Sequence, residues 1–178
     1  MERPRCSGFI AASLDGFIAR ADDGLDWLDA VQRPGEDYGF AAFFASVDAL
    51  LLGRNTWEVA RRIEPWPYAE KRCLVLTSRP AEGAHGETFH GGDPAPLLAR
   101  LTTEGVRRVY VDGGLTVARF LAAGLLDDLT VSLIPVLLGD GIRLFPGGYA
   151  ERRLELTGSR SFPSGLVQVD YRVLAPEG

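Results

Sequence analysis

Three short polar segments follow directly on apolar runs, and each carries residue types suited to holding phosphate. Gly53-Arg54-Asn55-Thr56 comes after the run ending at Leu52. The start of a helix there offers free backbone N–H groups to an anion. Arg54 adds a charged fork, Thr56 a hydroxyl, and Gly53 a backbone that can be closely approached. A capped helix with a surface arginine explains the same residues. The second segment is Asp112-Gly113-Gly114-Leu115-Thr116, after Val111. Adjacent glycines open torsions closed to other residues and let a pyrophosphate or a ring lie against the main chain. Asp112 reads as a cap on the following helix or as a ligand contact. The spacing is not G-x-G-x-x-G, so the usual dinucleotide fingerprint is absent. The third segment, Thr77-Ser78-Arg79, lies just past Leu76. In a parallel sheet all three would share the carboxyl edge, where ligands bind. Together they suggest a phosphorylated nucleotide cofactor.

Apolar periodicity supplies the elements that must place these segments. Strands are expected over 7–12, 47–52, 71–76 and 108–111, with a longer one over 128–138 bent at Pro135. Val47–Leu52 is apolar apart from Asp48, which suits a strand buried on both faces. Helices are expected over 36–45, where Phe40, Phe43 and Phe44 share a face, and over 55–62. A third spans 94–103 behind Asp93, and a fourth runs from Gly114 to a stop at Gly124. Residues 153–157 and 167–173 alternate around the turn Pro163-Ser164-Gly165, as an antiparallel pair does. The fold class is therefore α/β: three layers, a mostly parallel central sheet with helices on both faces, and an antiparallel C-terminal hairpin. One domain over 1–178 is expected.

Composition removes several classes of function. The 178 residues carry a net charge of −5, which discourages nucleic-acid binding. No stretch approaches the length of a membrane span, and the N-terminus lacks the apolar core of a signal peptide. A soluble cytoplasmic protein without nucleic-acid or membrane partners is expected. Cys6 and Cys73 form no metal-binding spacing and no other ligand cluster stands out, so no metal is expected. The basic residues are nearly all arginine, with Lys71 the lone lysine. His85 and His90 read as solvated loop residues, and Trp57 and Trp66 as packing residues.

The chain resembles the dihydrofolate reductase superfamily, in the style of stand-alone proteins related to the reductase domain of bifunctional riboflavin-biosynthesis enzymes. The resemblance is carried by Ile10-Ala11-Ala12-Ser13-Leu14-Asp15-Gly16-Phe17-Ile18-Ala19, by Gly53–Glu58, by Val111-Asp112-Gly113-Gly114, and by Leu125–Leu129 with Pro135 and Gly139-Asp140-Gly141. It implies NADPH as hydride donor to a small heterocycle, pterin- or pyrimidine-like. Ala12 and Ile18 would line the nicotinamide pocket. Gly53, Arg54, Asn55 and Thr56 would hold the pyrophosphate and adenosine side, and Thr77, Ser78 and Arg79 the 2′-phosphate. Gly113, Gly114, Leu115 and Thr116 would lie along the nicotinamide ribose. The resemblance also places a catalytic acid at Asp37, sixteen positions before Gly53. Reduction of a C=N bond needs a proton on nitrogen, and a carboxyl beside Phe40 with a raised pKa would help to relay it. Glu36 is a rival for that role. Trp27, Phe40 and Ser132 are candidate substrate contacts. Two features depart from folate reductases: Trp27 lies ten positions before Asp37, and Ala41 replaces a stacking aromatic. A reductase of the phosphorylated ribosylamino-uracil of riboflavin biosynthesis is an alternative, though the deaminase signature H-x-E with P-C-x-x-C is missing. A non-catalytic NADP(H)-binding protein is another. Relatives dimerise through sheet edges, so a homodimer is expected.

Overall fold

The computed structural model describes residues 2–79 and 81–175. Met1, Pro80 and 176–178, which fall within the expected domain, lie outside the described residues. In chain order the strands are β1 (Arg5–Ser13), β2 (Phe17–Ala19), β3 (Ala49–Gly53), β4 (Arg72–Leu76), β5 (Thr88–His90), β6 (Arg108–Asp112), β7 (Asp128–Ile134), β8 (Ile142–Arg143), β9 (Leu154–Ser161) and β10 (Val167–Val173). The helices are α1 (Phe40–Ala45), α2 (Arg54–Ala60), α3 (Pro94–Thr103) and α4 (Gly114–Ala122), with a 3₁₀ turn over Asp26–Val31. Among the described residues the main sheet has eight strands in the order β5-β4-β3-β6-β1-β7-β10-β9. Pairing is parallel from β5 to β7 and antiparallel for β7–β10 and β10–β9. The expected architecture is the observed one.

The central strands divide their side chains between two cores. Leu51, Val109 and Val111 point to the side covered by α3 and α4, where Leu97, Leu98, Leu101, Val117 and Phe120 meet them. Leu50, Leu52 and Tyr110 point to the other side, against Trp57 and Ala60 of α2 and the Phe40–Phe43–Phe44 face of α1. The continuous apolar run over β3 is thus explained by burial on both faces. A third cluster, Trp27, Val31, Ile134 and Leu166, seals the 3₁₀ turn against β7 and the β9–β10 turn.

Two expected elements are shorter than their apolar patterns. The helix expected over 36–45 begins at Phe40, because Tyr38 and Gly39 take positive φ values of 55° and 82°. The strand expected over 128–138 ends at Ile134, before Pro135. No helix among the described residues is long and apolar enough to cross a membrane.

Candidate functional site at the β3–β6 crevice

Strands β3 and β6 are neighbours, yet α2 leaves β3 toward one face and α4 leaves β6 toward the other. The chain therefore opens a crevice between their carboxyl ends, the place where open α/β sheets bind ligands. No side chain caps α4, whose Ncap is Gly113 at φ 103°. The N–H groups of its first turn have no partner within the helix. Asp112 is not the cap: its Oδ1 accepts from the adjacent Gly113 N–H at 2.9 Å.

The glycines also have a reason within the protein. A Cβ built on Gly53 would lie 2.5 Å from Thr116 Oγ1, and one on Gly113 would lie 2.4 Å from Thr56 Oγ1. Each turn sends a threonine hydroxyl against the glycine of the other. The space that Gly53 and Gly113 leave is filled by the protein, and the two turns interlock. Gly114 is approached in the same way by the carbonyl oxygen of Arg143, 2.5 Å from a Cβ, and by Ile18 Cδ1 at 3.4 Å.

Arg54 crosses from the β3–α2 turn to the turn after β4. Its Nη1 donates to the Arg79 carbonyl oxygen at 3.2 Å, and its Nε donates to Glu58 Oε1 at 2.9 Å. Thr77 Oγ1 accepts from Arg79 N–H at 3.1 Å, which folds 77–79 into a tight turn. Asn55, Ser78, Arg79 and Leu115 are exposed at the same edge. The three polar segments are therefore brought together.

A two-stranded ribbon of β2 and β8 borders the crevice beside Gly114. Asp15 fastens it: the carboxylate accepts from Ser13 Oγ at 2.6 Å, Leu138 N–H at 3.1 Å and Gly139 N–H at 2.7 Å. These bonds hold its pKa down at about 2. Ile18 of the ribbon packs on the cluster that contains Ala12.

The perturbed acid of the crevice is Asp112. Its side chain is on the α1–α2 side with Tyr110, and burial pushes its carboxyl up to about 6. The Tyr110 hydroxyl, which donates to the Phe9 carbonyl oxygen at 2.9 Å, and the Gly113 N–H offset this only in part. Tyr68 is also pushed up, by burial and by the Asp112 charge. Phe40 stacks on Phe44 at 5.7 Å and meets Tyr110 edge-on at 6.2 Å, so it belongs to the wall of this compartment.

Asp37 behaves in the opposite way to the raised pKa expected of it. It is exposed, its carboxylate accepts from Ala41 N–H and Gly39 N–H at 2.9 Å each, and these bonds lower its pKa. The carboxylate serves the start of α1. Glu36, the rival, is exposed and accepts from Tyr38 N–H. Ser132 is buried, and its Oγ accepts from Gln168 Nε2 at 2.9 Å. Trp27 is buried in the third cluster, with its indole N–H unpaired.

Sequence reasoning missed Tyr68, Gln168 and Glu87. Gln168 is fully buried and bonds Tyr38 O, Ser132 and Arg160, which ties the segment before α1 to β7 and β9. Its position between Val167 and Val169 put it on the opposite face of β10, but nothing marked that face as covered. His85 is an exposed loop residue as expected, with its ring stacked on Trp66 at 4.7 Å, whereas His90 is not a loop residue and lies half-buried on β5. No group of three or more His, Cys, Asp or Glu among the described residues could hold a metal ion.

Comparison with known proteins agrees with this geometry. Residues 8–168 match the RibD C-terminal domain, and the chain belongs to that family. It is 36% identical over 166 residues to the uncharacterized protein YwjB of Bacillus subtilis strain 168, covering 92% of this chain and 94% of that one. A Shewanella sp. PV-4 protein provisionally assigned to riboflavin biosynthesis superposes with a TM-score of 0.89 at 33% identity, covering 96% and 99% of the two chains. The dihydrofolate reductase of Enterococcus faecalis, complexed with NADP(H), shares the fold at a TM-score of 0.62 and 18% identity, over 95% of this chain and 96% of that one. The chain is thus a reductase-like domain of the RibD family on a dihydrofolate reductase fold.

Proposed function

We propose that this protein is an NADPH-dependent reductase of a small pterin- or pyrimidine-like heterocycle. The carrying observation is the carboxyl of Asp112, pushed up to about 6 by burial on the aromatic side of the sheet, two residues before the uncapped α4. A dinucleotide fits the donor set around it. The N–H groups of residues 114–116 suit phosphate oxygens. Ser78 and Arg79 lie at the same edge for a further phosphate. Ala12 and Ile18 offer an apolar wall for the nicotinamide ring. When bound, the nicotinamide supplies the hydride.

The chain's own part is the proton. A carboxyl that stays protonated toward neutral pH can donate to a ring nitrogen as the neighbouring carbon is reduced. Asp112 meets that requirement. Asp37 does not, because its carboxylate is ionised and engaged by backbone N–H groups. Tyr68, Tyr110 and Phe40 line the apolar wall beside this half-buried carboxyl. Membership of the RibD family supports a second reading within this class, the phosphorylated ribosylamino-uracil as substrate. We further propose that two copies associate through β9, the last strand of the sheet, where Leu154 and Leu156 are exposed.

The test is steady-state NADPH consumption with dihydrofolate, a dihydropterin and the phosphorylated ribosylamino-uracil. Turnover of at least one is expected. Turnover of the last alone selects the second reading. Nucleotide binding with no turnover of any of them contradicts the reductase and leaves a binding protein.

A further inference from the structure

The molecule holds a buried carboxylate that the proposed chemistry does not use. The Glu87 side chain is fully buried. Its Oε1 accepts from the indole N–H of Trp57 at 2.9 Å and its Oε2 from the His85 N–H at 2.7 Å. Burial opposes the charge, but the hydrogen bonds outweigh it and the pKa falls below the usual value. Both neighbours are donors, so the group between them must accept twice, and a carboxylate does this without offering a proton in return. Room for it comes from Gly83, where a Cβ would lie 2.3 Å from Oε2.

The consequence runs through the indole. Trp57 is held at its N–H by Glu87, and Phe89 meets its ring edge-on at 5.0 Å. The Arg54 guanidinium lies 4.9 Å from the centre of that ring. Glu58 holds Arg54 from the next turn of α2, at 2.8 Å from Nη2. The remaining nitrogen, Nη1, reaches the carbonyl oxygen of Arg79. Arg54 therefore leans away from the α4 side of the crevice and toward the 77–79 turn. Arg54 is thus held by Glu58 and the Arg79 carbonyl and rests against an indole whose N–H Glu87 binds, with Arg61 4.6 Å from the same ring.

We propose that Glu87 is a positioning residue for nucleotide recognition, setting Arg54 through Trp57 so that Arg54 and Arg79 together hold the 2′-phosphate of NADPH. This rests on the reading of the crevice as an NADPH site. It assigns selectivity for the phosphorylated nucleotide to a buried group that touches no ligand.

The experiment is a set of titrations with NADPH and with NADH on the parent chain, Glu87→Gln, Trp57→Phe, Arg54→Ala and Glu87→Gln/Arg54→Ala, each checked for folding by circular dichroism. Glu87→Gln is expected to weaken NADPH about tenfold, the scale of one hydrogen bond to a charged group, and NADH far less. Trp57→Phe keeps the ring but not the N–H. It is expected to lower the preference in the same direction, and it decides the matter where Glu87→Gln does not fold. In the Arg54→Ala background Glu87→Gln is expected to change the preference no further, because the two act on one contact. Equal weakening of both nucleotides, or additive effects in the double variant, overturns the proposal and leaves the NADPH site standing. A parent chain that binds neither nucleotide overturns the site and the proposal together.

Discussion

The two aspartates of the candidate site shift in opposite directions, Asp37 downward through backbone N–H bonds and Asp112 upward through burial. Asp37 occupies the place of a catalytic acid by spacing, but a side chain just before a short helix is claimed by the backbone N–H groups there. Asp112 reads as a cap by spacing, but it projects from the last residue of a central strand into an aromatic compartment where no cap is needed. Spacing alone cannot separate them, because the difference is desolvation, to which Tyr68 contributes from a distant loop and Tyr110 from two residues earlier on the same strand. Asp112→Asn is expected to retain nucleotide binding and lose turnover, while turnover of the parent falls as pH rises through about 6. Stability gives an independent check. The folded pKa is raised, so the contribution of Asp112 is fully present below the unfolded value of about 4 and is lost as pH rises through about 6. Asn carries no charge to bury. Denaturant unfolding is expected to show Asp112→Asn gaining on the order of 2–3 kcal/mol above that pH and nothing in acid. A stability difference that does not change with pH would remove the desolvated carboxyl from the account.

At the scale of elements, the two strand-to-helix turns behave as one unit. Apolar runs ending in glycine made both junctions legible in the sequence, and each junction is where the pattern put it. Their interlock was not legible, since it joins Thr56 to Gly113 and Thr116 to Gly53 across the boundary between two strands. Gly53→Ala is expected to destabilise the chain by about 1–3 kcal/mol, as overpacked sites do, and to weaken nucleotide binding. Adding Thr116→Ala removes the hydroxyl 2.5 Å from the new methyl and leaves the residue's Cβ at 3.8 Å. Thermal melts should then recover most of the loss. If the double variant is worse than the single one, the interlock is not the reason for the glycine. The elements that periodicity missed are β2, β5, β8 and the 3₁₀ turn, each of six residues or fewer. Such segments are too short to show a period, and β2 and β8 exist through pairing with each other and the Asp15 clip.

For the whole molecule, the decisive feature is that α2 and α4 diverge from neighbouring strands. Right-handed crossovers run from β3 to β4 in one direction along the sheet and from β6 to β7 in the other, which puts their helices on opposite faces; apolar pattern made the fold class legible but not this strand order. Beyond the crevice, β9 leaves Leu154 41% and Leu156 56% exposed at the sheet's end, an edge that folded proteins ordinarily cover or charge. Light scattering is expected to give twice the chain mass, and Leu156→Glu to give the single chain. A parent that stays monomeric at high concentration contradicts the pairing.

The central claim is that this crevice holds NADPH. Its most direct test is a side-by-side titration of the purified protein with NADPH and NADH, followed by nucleotide fluorescence. NADPH is expected to bind saturably and tightly, and NADH markedly more weakly. Binding of neither would contradict it, and the polar turns at residues 53–56, 77–79 and 113–116 would then need a different ligand.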